Sequence, residues 1–136
     1  MEKFLKKQLE SFENAYYRLV EVLENYDPLG LDIALDATIQ RFEFTFEPAW
    51  KSVQRFTKIL GFEECKSPRG CIKLAYKLGW IEDQDKWLKL LEARNLTSHT
   101  YDAAVARRVY GLVKENHRAF ASLIEKLKGI LEEINP

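Results

Sequence analysis

The segment ARNLTSHTYD, residues 93–102, contains three side chains whose types and spacing could support phosphate chemistry. An arginine guanidinium is a fixed fork that binds phosphate oxygens, and a histidine can take up or release a proton near neutral pH. Arg94 and His99 supply this pair, and Tyr101 follows two residues later. The combination predicts a site that acts on a phosphate group by general acid–base chemistry.

The apolar pattern before this segment predicts a helix that ends in it. The apolar positions step by three and four residues and are Trp87, Leu88, Leu90 and Leu91. The same steps lead on to Arg94 and Asn95, which are therefore expected on the inward-facing side. Charge is costly there unless it is paired or faces a cleft. We therefore expect both side chains to line a site or an interface.

His99 lies five residues after Arg94, which corresponds to about 140° around an ideal helix. The two side chains can converge only if the helix loosens between them. Thr97 and Ser98 favour such loosening because their hydroxyls compete for backbone hydrogen bonds. A purely structural interpretation also stays open, in which Arg94 pairs with a buried carboxylate, His99 caps a helix end and Tyr101 fills a gap.

The elements that position this segment are predicted to be helices throughout. The first apolar stripe begins at Leu5 and is stopped by YDPLG, residues 26–30. The second runs from Leu35 to a stop near Gly61. A third helix begins at Ser67, a fourth near Asp83, and a last one runs from Asp102 to about Glu133. The pattern predicts one all-α domain over residues 1–136, an antiparallel up-and-down bundle of four to five helices.

The stretch RFEFTFEP, residues 41–48, alternates like a β-strand and contains a proline. In a wider window, however, its apolar residues continue the four-and-three stepping of a long helix. Pro48 lies off that stripe and can be accommodated as a kink. We therefore predict a helix here.

The third helix opens with Ser67 as its N-cap and Pro68 in its first turn. A row of basic residues lies opposite its apolar face, at i, i+4 and i+8: Arg69, Lys73 and Lys77. Either the row is an ordinary solvated face, or it binds phosphate or an acidic partner. The two cysteines, Cys65 and Cys71, lack metal-ligand or redox-motif spacing, so we expect reduced structural thiols.

Composition limits the function classes. The 136 residues include 21 Lys+Arg and 21 Asp+Glu, so a nucleic-acid contact must come from a local basic patch. No apolar run is long enough to span a membrane and the N-terminus lacks an apolar signal core, so we expect a cytoplasmic protein. We expect no metal site, Gly-rich phosphate loop or cofactor. His117, in the last helix, is expected to be a surface or satisfied core histidine.

The pattern Arg94-x4-His99-x-Tyr101 resembles the signature of the HEPN superfamily of small helical bundles. The resemblance extends to QRFEFTFEPAWKSV, SPRGCIKLAYKLGWI and WLKLLEARNLTSHTYD, in this order, and to the final helix. Together these segments are similar to the prokaryotic nucleotidyltransferase substrate-binding proteins. The resemblance covers nearly the whole chain.

The resemblance implies a homodimeric helical bundle that assembles with a minimal nucleotidyltransferase. In one interpretation the helical subunit binds nucleotide or nucleic-acid substrate for a split nucleotidyltransferase. In another it is the metal-independent ribonuclease toxin of a toxin–antitoxin module, silenced when the partner adds AMP to a tyrosine. Carried onto this chain, Arg94 and His99 are catalytic and Tyr101 is the modification site. From their own positions in the sequence, Asn95 and the basic row of Arg69, Lys73 and Lys77 are expected to bind substrate or phosphate. A free-standing ribonuclease and a structural helical protein remain as alternatives.

RNA cleavage through the 2′-hydroxyl needs a base for that proton and an acid for the leaving 5′-oxygen. One chain offers a single histidine in the motif. A two-fold dimer with both motifs across one cleft would supply two histidines and two arginines. The chemistry therefore predicts that activity requires the dimer.

Overall fold

The computed structural model describes residues 2–25 and 32–134, which form six α-helices and one short 3₁₀ turn. The helices are α1 (Glu2–Asn25), α2 (Asp32–Ile59), α3 (Pro68–Lys77), α4 (Gln84–Leu96), α5 (Ala103–Asn116) and α6 (Arg118–Ile134). The 3₁₀ turn, Thr97–His99, joins α4 to the loop before α5. The all-α bundle is confirmed. The predicted stop at residues 26–30 lies outside the described residues.

Helix α2 occupies the centre of the bundle and packs against α1, α3, α4 and α5, while α6 packs along α1. Five phenylalanines are fully buried between these helices: Phe12, Phe42, Phe46, Phe56 and Phe120. Phe120 joins α6 to three other helices, because its ring contacts aromatic rings of α1, α2 and α4. This aromatic core fixes α2 and α4 against each other, and these two helices carry the candidate site.

The segment 41–48 is helical, as its wider periodicity predicts. Phe42 and Phe46 are buried on one face, and Pro48 lies inside the continuous helix α2. Thr45 donates a hydrogen bond from its hydroxyl to the Arg41 carbonyl, so its polar group is satisfied within the helix. The strand-like alternation was therefore misleading because it covers only a short part of a much longer stripe.

The predicted helix starts are confirmed. Ser67, Asp83 and Asp102 each accept a hydrogen bond from a backbone N–H in the first turn of α3, α4 and α5. Gly61 and Gly79, which follow α2 and α3, adopt φ values of 82° and 77°. These left-handed conformations favour glycine, which explains why both helices stop there.

The prediction of one final helix from Asp102 to about Glu133 is wrong, because the structure divides this stretch at His117. The side-chain amide of Asn116 donates to the Leu112 carbonyl at 2.8 Å, and the Phe120 N–H reaches back only three residues to the His117 carbonyl. The chain therefore makes a tighter turn at His117. Helix α6 begins after this turn, and its Phe120 side chain lies in the core. The described residues therefore hold six α-helices instead of four or five.

The expectation of reduced cysteines is also wrong, because Cys65 and Cys71 form a disulfide. The chain reverses at Ser67 and Pro68, which brings the two Cα atoms to 5.0 Å. Both cysteines are buried, and Gln54 of α2 donates to the Cys65 carbonyl at 2.8 Å. The disulfide therefore fastens the segment before α3 to that helix. The spacing of the two cysteines in the sequence did not indicate the chain reversal at Ser67 and Pro68.

None of the helices in the described ranges is both long and apolar enough to cross a lipid bilayer.

Candidate functional site

The predicted loosening occurs in the segment 94–101, which we call the motif turn. Helix α4 ends at Leu96 and continues as the 3₁₀ turn Thr97–His99. The Thr97 hydroxyl donates to the Arg94 carbonyl at 2.7 Å, and the Thr100 hydroxyl donates to the Thr97 carbonyl at 3.1 Å. The Arg94 carbonyl thus accepts both the hydroxyl and the backbone N–H of Thr97, so the Thr97 hydroxyl takes part in the loosening as predicted.

Arg94 lies half-buried at the edge between α4 and α2 and pairs with Glu47. Its Nε donates to Glu47 Oε1 at 3.1 Å, and its Nη2 lies 3.1 Å from the same oxygen. The other carboxylate oxygen of Glu47 accepts a hydrogen bond from Trp50 Nε1 at 3.1 Å. The structural interpretation foresaw a carboxylate partner for Arg94, but this carboxylate is half-exposed and not buried.

Asn95 is exposed, so its predicted inward-facing position is wrong within the single chain. The buried face of α4 instead consists of Trp87, Leu90, Leu91 and Ala93. Arg94 lies at the boundary of this face and Asn95 beyond it, because each residue advances about 100° around the helix. The Asn95 side-chain oxygen accepts a hydrogen bond of 3.4 Å from Arg94 Nη1.

His99 and Tyr101 project from the motif turn into solvent. Their rings meet edge to face with centroids 6.1 Å apart, and Tyr101 is 85% exposed. Tyr101 therefore fills no gap in the described structure, contrary to the structural interpretation. Both groups can be approached by a second molecule, as acid–base and group-transfer chemistry require.

The site contains two acidic residues that sequence reasoning did not select, Glu43 and Glu47. Their spacing of four residues places both on one face of α2, beside the stripe of Phe42 and Phe46. Burial and the neighbouring Glu47 raise the pKa of Glu43, while Arg94 opposes this shift. The i, i+4 pair of glutamates in RFEFTFE could have been selected from the sequence as a candidate acidic site. Its contact with Arg94 could not, because that contact depends on how α2 and α4 pack.

The predicted basic row is exposed along α3. Lys77 forms an ion pair of 3.1 Å with Glu63, and a shallow cleft of about 410 Å³ lies beside Lys73 and Lys77. Among the described residues, no hydrogen bond or ion pair joins Arg69, Lys73 or Lys77 to the motif turn. The row is therefore a separate surface on a neighbouring helix.

His117 is a satisfied, half-buried histidine, as the sequence predicted. Its Nδ1 lies 3.0 Å from the hydroxyl oxygen of Tyr16. Burial lowers the pKa of His117, with a smaller contribution from Arg118, and burial raises the pKa of Tyr16. The neutral imidazole and the protonated phenol suit a bond in which the hydroxyl donates to Nδ1.

This small helical bundle presents Arg94 in the last turn of its fourth helix, and His99 and Tyr101 in the turn that follows. The chain belongs to the family described as nucleotidyltransferase substrate binding protein like, whose model matches residues 7–129.

Known relatives agree with this assignment. The chain is 29% identical over 107 residues to the probable ribonuclease HepT of Haemophilus influenzae, covering 71% of this chain and 69% of that protein. A crystal structure of a Thermus thermophilus protein is similar with a TM-score of 0.73 at 34% identity, covering 88% of this chain and 98% of that one. A tri-AMPylated HEPN toxin of Shewanella oneidensis, in complex with MNT antitoxin, has a TM-score of 0.73 at 15% identity, covering 95% of this chain and 99% of that one. At that identity the likeness shows the fold alone.

Proposed function

We propose that this chain is a cytoplasmic, metal-independent ribonuclease of the HEPN type, controlled by a minimal nucleotidyltransferase partner in a toxin–antitoxin module. The observation that supports the proposal is the motif turn, which exposes His99 and Tyr101 within seven residues of an arginine held at the helix edge. The name of the Haemophilus influenzae relative, probable ribonuclease HepT, supports the same activity.

In the proposed reaction the 2′-oxygen of a ribose attacks the adjacent phosphorus. His99 takes the 2′-hydroxyl proton, the bond to the 5′-oxygen breaks, and the products are a 2′,3′-cyclic phosphate and a 5′-hydroxyl. Arg94 stabilises the charge that develops on the phosphorane oxygens. An exposed imidazole suits this task because it can exchange its proton with water between turnovers.

A second proton donor is needed for the leaving 5′-oxygen, and we assign it to His99 of a second copy. The homodimer places two motif turns across one cleft, so that one histidine acts as base and the other as acid. Asn95 lies exposed beside Arg94, where it can bind the phosphate or the second copy. A fully active monomer would overturn this arrangement.

Control by the partner is assigned to Tyr101. In this step the Tyr101 hydroxyl oxygen bonds to the α-phosphorus of ATP, pyrophosphate leaves, and the phenol proton is lost to solvent. The attached AMP adds a negative phosphate within reach of His99, whose ring lies 6.1 Å from that of Tyr101. RNA phosphate would then be repelled and excluded. The HEPN toxin of Shewanella oneidensis, which has the same fold, is tri-AMPylated in its complex with MNT antitoxin, and this supports AMP transfer as the means of control.

The basic row of α3, Arg69, Lys73 and Lys77, is proposed to bind the RNA backbone away from the cleaved bond. Each phosphate neutralised by such a row releases counterions, so binding through it weakens as salt rises. Because the chain has no net charge, this row would supply a local attraction that the whole molecule lacks.

A non-catalytic substrate-binding subunit is the second candidate. It is favoured by one contact, the pairing of Arg94 with Glu47, which occupies one side of the guanidinium. In that case the motif would bind nucleotide for the partner without cleaving.

The deciding experiment is cleavage of end-labelled single-stranded RNA by the purified protein in EDTA. We expect cleavage by the wild type and a loss of about 10²–10⁴-fold in His99→Ala. Ser11→Ala, at an exposed position of α1 outside the motif turn, is the control and should cleave normally. Loss of activity with an unchanged melting temperature supports the ribonuclease. An inactive wild type, free of AMP and tested without partner, supports the binding subunit.

A further inference from the structure

Three side chains from two helices form a chain of contacts that ends at the motif turn. Trp50 donates from Nε1 to Glu47 Oε2, and Glu47 Oε1 accepts from Arg94 Nε, each at 3.1 Å. Trp50 and Glu47 belong to α2, whereas Arg94 belongs to α4. Glu47 is thus held through both of its carboxylate oxygens.

The arrangement constrains the Arg94 guanidinium but leaves some of its N–H donors available. Glu47 occupies the side of Arg94 formed by Nε and Nη2, and Asn95 accepts a longer bond of 3.4 Å from Nη1. A guanidinium carries five N–H groups, so N–H groups on both terminal nitrogens stay available. Two such groups are what bidentate recognition of a phosphate requires.

Stability does not account for the arrangement. The Arg94 and Glu47 side chains are 36% and 38% exposed, and ion pairs with that much access to water contribute little to folding. Fixing a long arginine side chain also costs rotamer entropy. The contacts do, however, orient Arg94. Trp50 holds the planar carboxylate of Glu47, and that carboxylate sets the direction of the guanidinium.

We propose that Glu47 and Trp50 are positioning residues that fix Arg94 with its terminal nitrogens directed at a substrate phosphate. The catalytic consequence rests on the proposed ribonuclease function, whereas the fixing of Arg94 itself does not. Trp50 acts on Glu47, and Glu47 acts on Arg94, so neither touches the reacting atoms. An arginine already oriented before RNA binds loses less freedom when the phosphorane forms.

The first readout is independent of activity. In ¹⁵N-labelled protein, the exchange of the Arg94 Nε proton with water is measured by NMR for the wild type, Glu47→Gln and Trp50→Phe. We expect exchange to accelerate by about tenfold or more in Glu47→Gln and less in Trp50→Phe, which keeps an aromatic ring but loses the N–H donor. Glu21→Gln removes the carboxylate that lies 3.5 Å from Arg41 and serves as the matched control, with Arg94 exchange unchanged.

The second readout is cleavage of single-stranded RNA in EDTA. We expect kcat to fall by about 10–100-fold in Glu47→Gln and by about 3–10-fold in Trp50→Phe, with KM nearly unchanged, because misplacing a catalytic group acts on the transition state. Glu47→Asp should recover part of the loss. In an Arg94→Ala background, Glu47→Gln should cause no further decrease.

The outcomes separate the two proposals. Faster exchange together with reduced kcat supports the positioning role. Unchanged Arg94 exchange in Glu47→Gln overturns it, and so does wild-type cleavage by both variants. If the wild type does not cleave RNA but exchange still accelerates in the variants, the ribonuclease proposal fails while the positioning of Arg94 stands.

Discussion

The two histidines of this protein occupy similar local settings, since each follows an α-helix and each has a tyrosine ring beside it. The ring of His99 lies 6.1 Å from that of Tyr101, and the ring of His117 lies 6.0 Å from that of Tyr16. His99 and Tyr101 are exposed and belong to one turn. His117 and Tyr16 are brought together from opposite ends of the chain and share a hydrogen bond of 3.0 Å.

The difference between the pairs lies in burial and in what burial does to the proton. In the Tyr16–His117 pair, burial lowers the pKa of His117 and raises that of Tyr16, so both shifts favour the neutral forms. A histidine held neutral contributes packing and a hydrogen bond, whereas one open to water can shuttle protons. The same two residue types therefore serve structure in one region and are available for chemistry in the other.

The contrast between the two pairs would be lost if the partner added AMP to Tyr16 as readily as to Tyr101. With labelled ATP and a minimal nucleotidyltransferase, Tyr101→Phe should lose essentially all incorporated AMP, because the acceptor oxygen is gone. Tyr76→Phe, which removes another exposed phenol, should keep it. Retained labelling of Tyr101→Phe would show that a different side chain is the acceptor. Labelling is read by autoradiography and located by peptide mass spectrometry.

The Tyr16–His117 pair should instead affect the stability of the fold. Tyr16→Phe removes the hydroxyl that is hydrogen-bonded to His117 and should cost about 1 kcal/mol of the free energy of unfolding, measured in urea. The adjacent Tyr17→Phe is the matched control. Tyr17 is 58% exposed and its hydroxyl donates to Glu13 at 2.9 Å, so we expect a change within about 0.5 kcal/mol. Equal effects of the two changes would contradict the assigned role of the Tyr16–His117 bond.

The smallest expected effect concerns pH. Because the pKa of His117 is lowered below its ordinary 6.5, the unfolded chain binds a proton more readily than the folded one. Stability should therefore fall as pH drops through about 6.5 and level off below the folded-state pKa. The half-exposed ring keeps part of its hydration, so we expect this loss to be smaller than that caused by Tyr16→Phe.

The control for this effect is His117→Gln, which removes the titrating group. Urea denaturation at pH 7.5 and pH 5.5 should show a smaller loss of stability in the variant than in the wild type. All other ionisable groups are common to both proteins and cancel in the difference. An identical pH dependence in the two proteins would mean that His117 does not contribute.

The sequence was informative where structure depends on neighbours within a few turns. The long apolar stripe of α2 overrode the strand-like stretch at 41–48, and the N-caps at Ser67, Asp83 and Asp102 were predictable from residue type. The loosening at Thr97 followed from a hydroxyl that bonds its own backbone. These features are local, so one sequence is enough to find them.

Features that depend on distant residues were less accessible. Glu47, which Trp50 holds within α2, reaches Arg94 only because α2 and α4 pack together across 47 residues of sequence. The break at His117 depends on the Asn116 amide and on Phe120, which enters a core built from other helices. The residue types of the motif turn could be selected from sequence, but their partners and exposure had to come from the fold.

The disulfide makes the segment between Cys65 and Cys71 a closed ring that contains two exposed basic residues, Lys66 and Arg69. Trypsin cutting after either residue opens the ring but leaves the two halves of the chain covalently joined. Such a nick would be invisible on a gel until a thiol reductant is added, when two fragments separate. A sample that looks intact without reductant can therefore already be cut beside the basic row.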